Sequence, residues 1–124
     1  MASITPVVDD TVADDGSVLK ITWETLTTTN ADGVPVAIAK FGDKTVTFTG
    51  TFGVGGTVKL QGTNDGTNWI DLADPQGNAI SKTSASIEAV TENPWKIRPY
   101  VSAGDGTTDL DVIVIARLSN TLRT

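Results

Sequence analysis

Apolar and polar residues alternate with a period of two through most of this chain. Leu19, Ile21 and Trp23 interleave with Lys20, Thr22 and Glu24, the pattern of a half-buried strand. Val46, Phe48 and Phe52 share one face of the run Thr45 to Phe52, and threonines take the other. Gly50, inside that run, predicts a bulge or a close backbone approach. Val58 and Leu60 alternate before the turn Asn64-Asp65-Gly66-Thr67-Asn68, and Ile70 and Leu72 alternate after it. Asn-Asp-Gly tolerates positive φ, so this segment reads as a β-hairpin. Trp95, Ile97, Pro99 and Val101 alternate next. Pro99 cannot donate to a ladder, which predicts an edge or bulged strand. Finally Leu110, Val112, Val114, Ala116 and Leu118 face one way, and Ile113 and Ile115 face the other. The middle of that strand is expected to be covered on both sides.

Turn signals separate these runs: Asn30 to Gly33, Gly42 to Lys44, Gly53 to Gly56, Asp74 to Asn78 and Ala103 to Asp109. Val34 to Phe41 is apolar without a clear face, and Ala79 to Lys82 reads as a short strand. Ser84 to Thr91 has helical character and is closed by Pro94. Short strands with turns about every eight to twelve residues predict an all-β chain folded as a single β-sandwich, jelly-roll-like.

The pattern divides the chain into an acidic N-terminal arm (1–18), a β-sandwich domain (19–118) and a C-terminal tail (119–124). Asp9, Asp10, Asp14 and Asp15 crowd the arm. It is either an extended, solvated terminus or a segment that orders only against a neighbour. In the second case Ile4, Pro6, Val7 and Val8 are its apolar anchors.

Composition narrows the chemistry. The 124 residues include no cysteine and no histidine. A disulfide, a thiolate ligand and the usual general base near neutrality are therefore missing, and no metal or cofactor is expected. The net charge of -6 repels phosphate backbones, so no nucleic-acid partner is expected. No apolar run approaches the roughly 20 residues of a membrane span. Met-Ala-Ser-Ile-Thr-Pro has neither the basic nor the apolar region of a secretory signal.

The remaining motifs read as structure. The aspartates of the arm lack the dry, rigid frame that catalytic carboxylates need. Asn64, Asp65, Asn68 and Asp71 miss the spacing of a calcium loop. No Lys-Ser or Lys-Thr follows the glycines at 50–56 at phosphate-loop spacing. Ser81 and Lys82 are adjacent in a strand and point to opposite faces. The chain is expected not to be an enzyme. Trp23 and Trp95 fall on apolar strand faces, as core residues do. Trp69 breaks frame with Ile70 and Leu72, and tryptophan is enriched at binding hot spots. It is the candidate contact residue within the domain.

From Thr45 to Leu118 the sequence resembles small β-rich virion proteins of tailed bacteriophages. The segments that carry the resemblance are 56–69 (GTVKLQGTNDGTNW), 74–80 (DPQGNAI), 92–101 (ENPWKIRPYV) and 104–112 (GDGTTDLDV). The resemblance is to cement, or decoration, proteins that bind the outside of an HK97-type capsid. It implies the major capsid protein as partner, a place on the outer capsid surface of the virion after synthesis in the host cytoplasm, and no catalytic residue. Symmetric capsid sites favour symmetric clamps, so a homo-oligomer, dimer or trimer, is expected. A tail or baseplate component is the alternative location. Thr63 to Trp69 is also similar to a hairpin of discoidin-like carbohydrate-binding modules, which leaves a receptor- or carbohydrate-binding module as a further reading.

Overall fold

The computed structural model describes residues 3–13 and 16–118. The described residues form ten strands: β1 (Val7–Asp9), β2 (Val18–Leu26), β3 (Val36–Ala37), β4 (Asp43–Thr51), β5 (Thr57–Thr63), β6 (Ile70–Asp71), β7 (Ser81–Lys82), β8 (Ser86–Val90), β9 (Lys96–Ala103) and β10 (Asp109–Arg117). They make two antiparallel sheets. One has the order β1-β2-β10-β4-β8, and the other has β3-β9-β5-β6 with β7 also on β5.

This order is that of a jelly roll. β2 pairs with β10, β3 with β9, β4 with β8, and β5 with β6 and β7. The chain is thus one long antiparallel hairpin wrapped into two facing sheets. β6 and β7 divide one edge of β5 between them, β6 at Gln61 and Gly62 and β7 at Val58 and Lys59, and β1 adds an outer strand beside β2.

The core lies between the sheets. Ile21, Trp23, Val46, Phe48, Val58, Leu60, Ile97, Val112 and Val114 are fully buried there, as the alternation predicts. Trp23 is the largest of them, and its Nε1–H donates to the Val34 carbonyl at 3.0 Å. A Cβ on Gly33 would lie 2.5 Å from the Trp23 indole and 2.6 Å from Pro99, so only glycine lets the 31–34 segment close over the ring. A Cβ on Gly50 would lie 2.5 Å from the Asp109 carbonyl oxygen; this is the close backbone approach its position predicted.

Several expectations are corrected. Ser84 to Thr91 is not helical: β8 pairs with β4 along Lys44↔Val90 to Phe48↔Ser86. Its small and charged residues have no apolar stripe, and the open edge of β4 supplies a ladder that an isolated short helix lacks. Pro99 lies opposite Leu60 in a central strand and not at an edge, although the strand is bulged as expected, with Ser102 the extra residue between Val101↔Val58 and Ala103↔Thr57. Its carbonyl accepts from Gly33 at 3.0 Å, so its missing N–H falls on the side where β3 is too short to need one. The N-terminal segment is in part a strand of the sandwich, with Val7 opposite Thr22 and Asp9 opposite Lys20. Asp14, Asp15 and the tail 119–124 lie outside the described residues.

Candidate functional site

The features that could recognise another molecule gather around the β5–β6 hairpin. Its turn is fixed by Asp65. The Asp65 carboxylate accepts from the backbone N–H of Thr67 and of Asn68, both at 2.8 Å, from Asn68 Nδ2 at 2.6 Å and from the Thr63 hydroxyl at 3.0 Å. These donors, the backbone N–H of Asn68 foremost, hold its acidity far above that of a free aspartate. Gly66, at φ 82°, completes the reversal. The turn is therefore rigid although exposed.

Two of the three tryptophans flank this turn. Trp69 turns to the outer face of the sheet that holds β9 and β5, where the Arg98 guanidinium stacks 4.4 Å from its ring centroid. The Tyr100 ring lies near the same guanidinium, its centroid 5.7 Å away. Trp95 is 41% exposed, with the Lys96 ammonium 4.2 Å from its ring. Its backbone N–H donates to Asn64 Oδ1 at 3.0 Å, tying it to the turn. The reading of Trp95 as a core residue is thereby corrected. Pro94 takes the buried place beside Gly62 and Leu72, and the indole is left outside.

A polar chain runs beneath this aromatic ledge. Arg98 Nε donates to Gln61 Oε1 at 3.1 Å, Gln61 Nε2 donates to Asp71 Oδ1 at 3.1 Å, and Lys59 Nζ meets Asp71 Oδ2 at 3.1 Å. Burial pushes the Asp71 carboxyl up, but the hydrogen bonds from Gln61 and Lys59 outweigh it and hold the group below its ordinary range. On the far side Arg98 faces Asp32 at 3.7 Å, and Ser3 donates to Asp32 at 3.0 Å. Such half-exposed pairs contribute about 0–1 kcal/mol each. Their larger effect is to fix the guanidinium under two rings.

On the inner side of the hairpin a groove of about 470 Å³ opens toward the segment before β9. Ile70, Leu72 and Pro94 give it apolar walls, and Asn64, Asn93 and Glu92 give it polar ones. Ile70 is 68% exposed, although its alternation with Leu72 predicts burial. It lines the groove and stays open to solvent. Lys44 braces the far wall. It points inward, and its Nζ donates to Asn93 Oδ1 at 2.5 Å and to the Phe41 carbonyl at 3.3 Å. Burial lowers its pKa, and Asp43 and Glu92 partly restore it.

The other contact candidates sit elsewhere. Ile4 packs against the core and bonds the backbone of Asp32 and Val34, at 2.9 and 2.8 Å. Pro6 is half-buried, and Val7 and Val8 are 63% and 49% exposed along the β1 edge of the five-stranded sheet. Trp69 immediately precedes β6 and stacks on Arg98 of the other sheet, away from the β1 edge. Sequence reasoning missed Arg98 and Tyr100. The signal was present in the outward positions of Lys96-Ile97-Arg98-Pro99-Tyr100, which alternate with the buried ones. Among the described residues no group of three or more acidic side chains is placed to hold a metal ion.

No protein family and no curated protein matches the chain. Among solved structures, it is similar to the SPBc2 prophage-derived protein YomS, at 14% identity and a TM-score of 0.57, over 80% of this chain and 93% of that one. That likeness establishes a shared fold. The chain also matches hydroxypropylphosphonic acid epoxidase from S. wedmorenis, at 11% identity and a TM-score of 0.43, over 83% of this chain and 45% of that one. Fe(II)-HppE with an alternative substrate matches at 12% identity and a TM-score of 0.41, over 90% of this chain and 55% of that one. The expectation that the chain is not an enzyme is withdrawn on this finding, since enzymes stand among its matches. Likenesses this distant give it no reaction either.

Proposed function

We propose that this chain is a structural protein of a tailed-phage virion that binds the outside of an HK97-type capsid and stabilises it by bridging capsid subunits. The observation that carries the reading is the Trp69–Arg98–Tyr100 ledge. Tryptophan, tyrosine and arginine are the residue types that dominate binding hot spots, and here all three stack on the outer face of one rigid sheet. Trp69 lies in segment 56–69, and Arg98 and Tyr100 lie in segment 92–101. Both segments carry the resemblance to virion proteins. The fold shared with a prophage-derived protein fits this reading.

The mechanism is linkage. A copy that touches two neighbouring capsid subunits binds the assembled shell better than separated subunits. It then stabilises the shell by about 2.7 kcal/mol per site when free protein is at 100 times its dissociation constant. A dimer or trimer multiplies the effect by matching a symmetry axis of the shell. The test is to mix the purified protein with shells that lack it, then follow co-sedimentation and release of contents on heating. Saturable binding with a raised release temperature supports the reading; no binding and an unchanged release temperature reject it.

The groove beside exposed Trp95, walled by Asn64, Asn93 and Glu92, favours a second reading, a carbohydrate-binding module of a tail or baseplate. Retention on glycan columns, together with recovery of the protein in tails rather than heads, would favour it over the first.

A further inference from the structure

The strand edges of this sandwich are not alike. β1 follows Pro6 and ends at Asp9-Asp10, β3 is two residues long after Pro35, and β6 and β7 are two residues each. Short length, proline and charge blunt an edge against further pairing. β8 is the exception: five residues, Ser86–Val90, with neither proline nor lysine.

The direction of its backbone groups follows from the register. The Leu118 N–H bonds the Ser17 carbonyl, so even-numbered residues of β10 turn toward β2 and odd-numbered ones toward β4. Carried through Ile113↔Thr47 and Thr47↔Ile87, this alternation makes Ser86, Glu88 and Val90 bond β4. The N–H and C=O of Ile87 and Ala89 then point away from the sheet. Thr91 agrees, because its N–H turns outward to the Ala73 carbonyl. Among the described residues nothing meets the outward groups of Ile87 and Ala89.

Two side chains on this strand are also incomplete. Ile87 is 65% exposed, at the end of an uncharged row, Val7-Thr22-Ile113-Thr47-Ile87, that crosses all five strands. Ser86 Oγ is buried and has no hydrogen-bond partner, a state that buried hydroxyls rarely keep. Glu88, two residues on, shares its inward face. Its Oε2 meets Lys82 Nζ at 2.8 Å, which neutralises the one charge on the edge and leaves Oε1 to accept.

We propose that β8 pairs antiparallel with β8 of a second copy about a two-fold axis through Ile87, joining two five-stranded sheets into one of ten strands. This pairing exchanges hydrogen bonds between the two Ile87 residues and joins Ala89 to Ala85 of the other copy. It sets one Ile87 side chain against the other on the outer face. It also sets Ser86 opposite Glu88 of the other copy, with Cβ atoms about 5 Å apart, so the orphan hydroxyl gains a carboxylate. A foreign strand could use the backbone groups, but the Ser86–Glu88 match is a property of this sequence with itself. The inference deepens the homo-oligomer part of the proposed function, and it is tested without any capsid.

The full chain is expected to sediment as a dimer that dissociates on dilution. Ala89→Pro removes an outward N–H and leaves the bonds to β4, so it is expected to give a monomer with an unchanged circular dichroism spectrum. Because the chain has no cysteine, Ile87→Cys supplies a single thiol on the proposed axis. Directly opposed residues of a hydrogen-bonded pair have Cα atoms about 5.5 Å apart, within disulfide reach. Ile87→Cys is therefore expected to form a covalent dimer on mild oxidation far faster than Val54→Cys, at a more exposed position. A monomeric wild-type chain at every concentration, a folded Ala89→Pro chain that still dimerises, or equal oxidation rates for the two thiols would each overturn the proposal. Should Ala89→Pro fail to fold, the comparison of thiols decides. A dimer that ignores shells sinks the capsid reading alone, and a monomer that binds them sinks the dimer alone.

Discussion

Replacing Thr25 with glycine is expected to stabilise this protein. Thr25 has φ 61°, a left-handed conformation that a β-branched residue takes only under constraint. The constraint is a bulge. Between the pairs Trp23↔Val112 and Leu26↔Leu110, β2 carries two residues where β10 carries Asp111 alone. The Thr25 N–H donates to Asp111 Oδ1 at 3.1 Å, and Leu26 beyond it is fully buried, so the backbone is held from both sides. A non-glycine residue pays about 1–2 kcal/mol for this conformation, and glycine instead costs about 0.5–1 kcal/mol of chain entropy. The Thr25 side chain is exposed, so little packing is lost. The balance is a net gain of about 0.5–1 kcal/mol, or about 2–5 °C in Tm for a domain of this size. Thermal and urea unfolding of Thr25→Gly should agree on that gain, with Thr25→Asn falling between glycine and wild type. A lower Tm for Thr25→Gly would refute the reasoning, because it would mean that the threonine side chain, and not the Asp111 bond, holds the bulge.

Other substitutions separate scaffold from contact surface. Trp23→Ala removes the largest core side chain and is expected to cost about 3–5 kcal/mol, measured by urea unfolding. Trp69→Ala and Trp95→Ala should each change stability far less, while lowering shell affinity at least tenfold in a co-sedimentation titration, about 1.4 kcal/mol or more. Acrylamide should quench wild-type fluorescence in part, and Trp95→Phe should shrink the accessible fraction, since Trp23 is sealed. The Asp105 carboxyl, lowered to about 2 by the Thr107 hydroxyl and the backbone N–H groups of Val54 and Thr107, gives a pH signature. Its folded-state pKa lies below its unfolded one, so its contribution is present above about pH 4 and fades as pH falls toward 2. Asp105→Asn should flatten that part of the curve of Tm against pH.

The long strands were legible because one face of each meets the core. Ile21 and Trp23, Val46 and Phe48, and Val112 and Val114 are inward where alternation puts them. Edge strands gave no such signal. On β8 the sense is reversed, with Ile87 outward and Ser86 and Glu88 inward, so Ser-Ala-Ser-Ile-Glu-Ala resembles a polar helix. Pro99 marked the bulge that β9 carries at Ser102 but not the strand's central place: a proline excludes one ladder bond, and here the side it vacates has a short neighbour. That Trp69 lies away from the core was legible from its broken frame. The exposure of Trp95 was not, because an aromatic one residue before a buried run looks inward until Pro94 is seen to fill the inner place. Arg98 and Tyr100 become part of a site only once the hairpin carries Trp69 over them, and strand pairing of that kind is invisible to local pattern.

A map of the intact particle, even at low resolution, tests the central claim most directly. Density for this sandwich on the outer surface of the head, with the hairpin end that bears Trp69 and Trp95 seated across a boundary between capsid subunits, is the expected result. Density confined to the tail or baseplate, or particles that hold none of the protein, would contradict it.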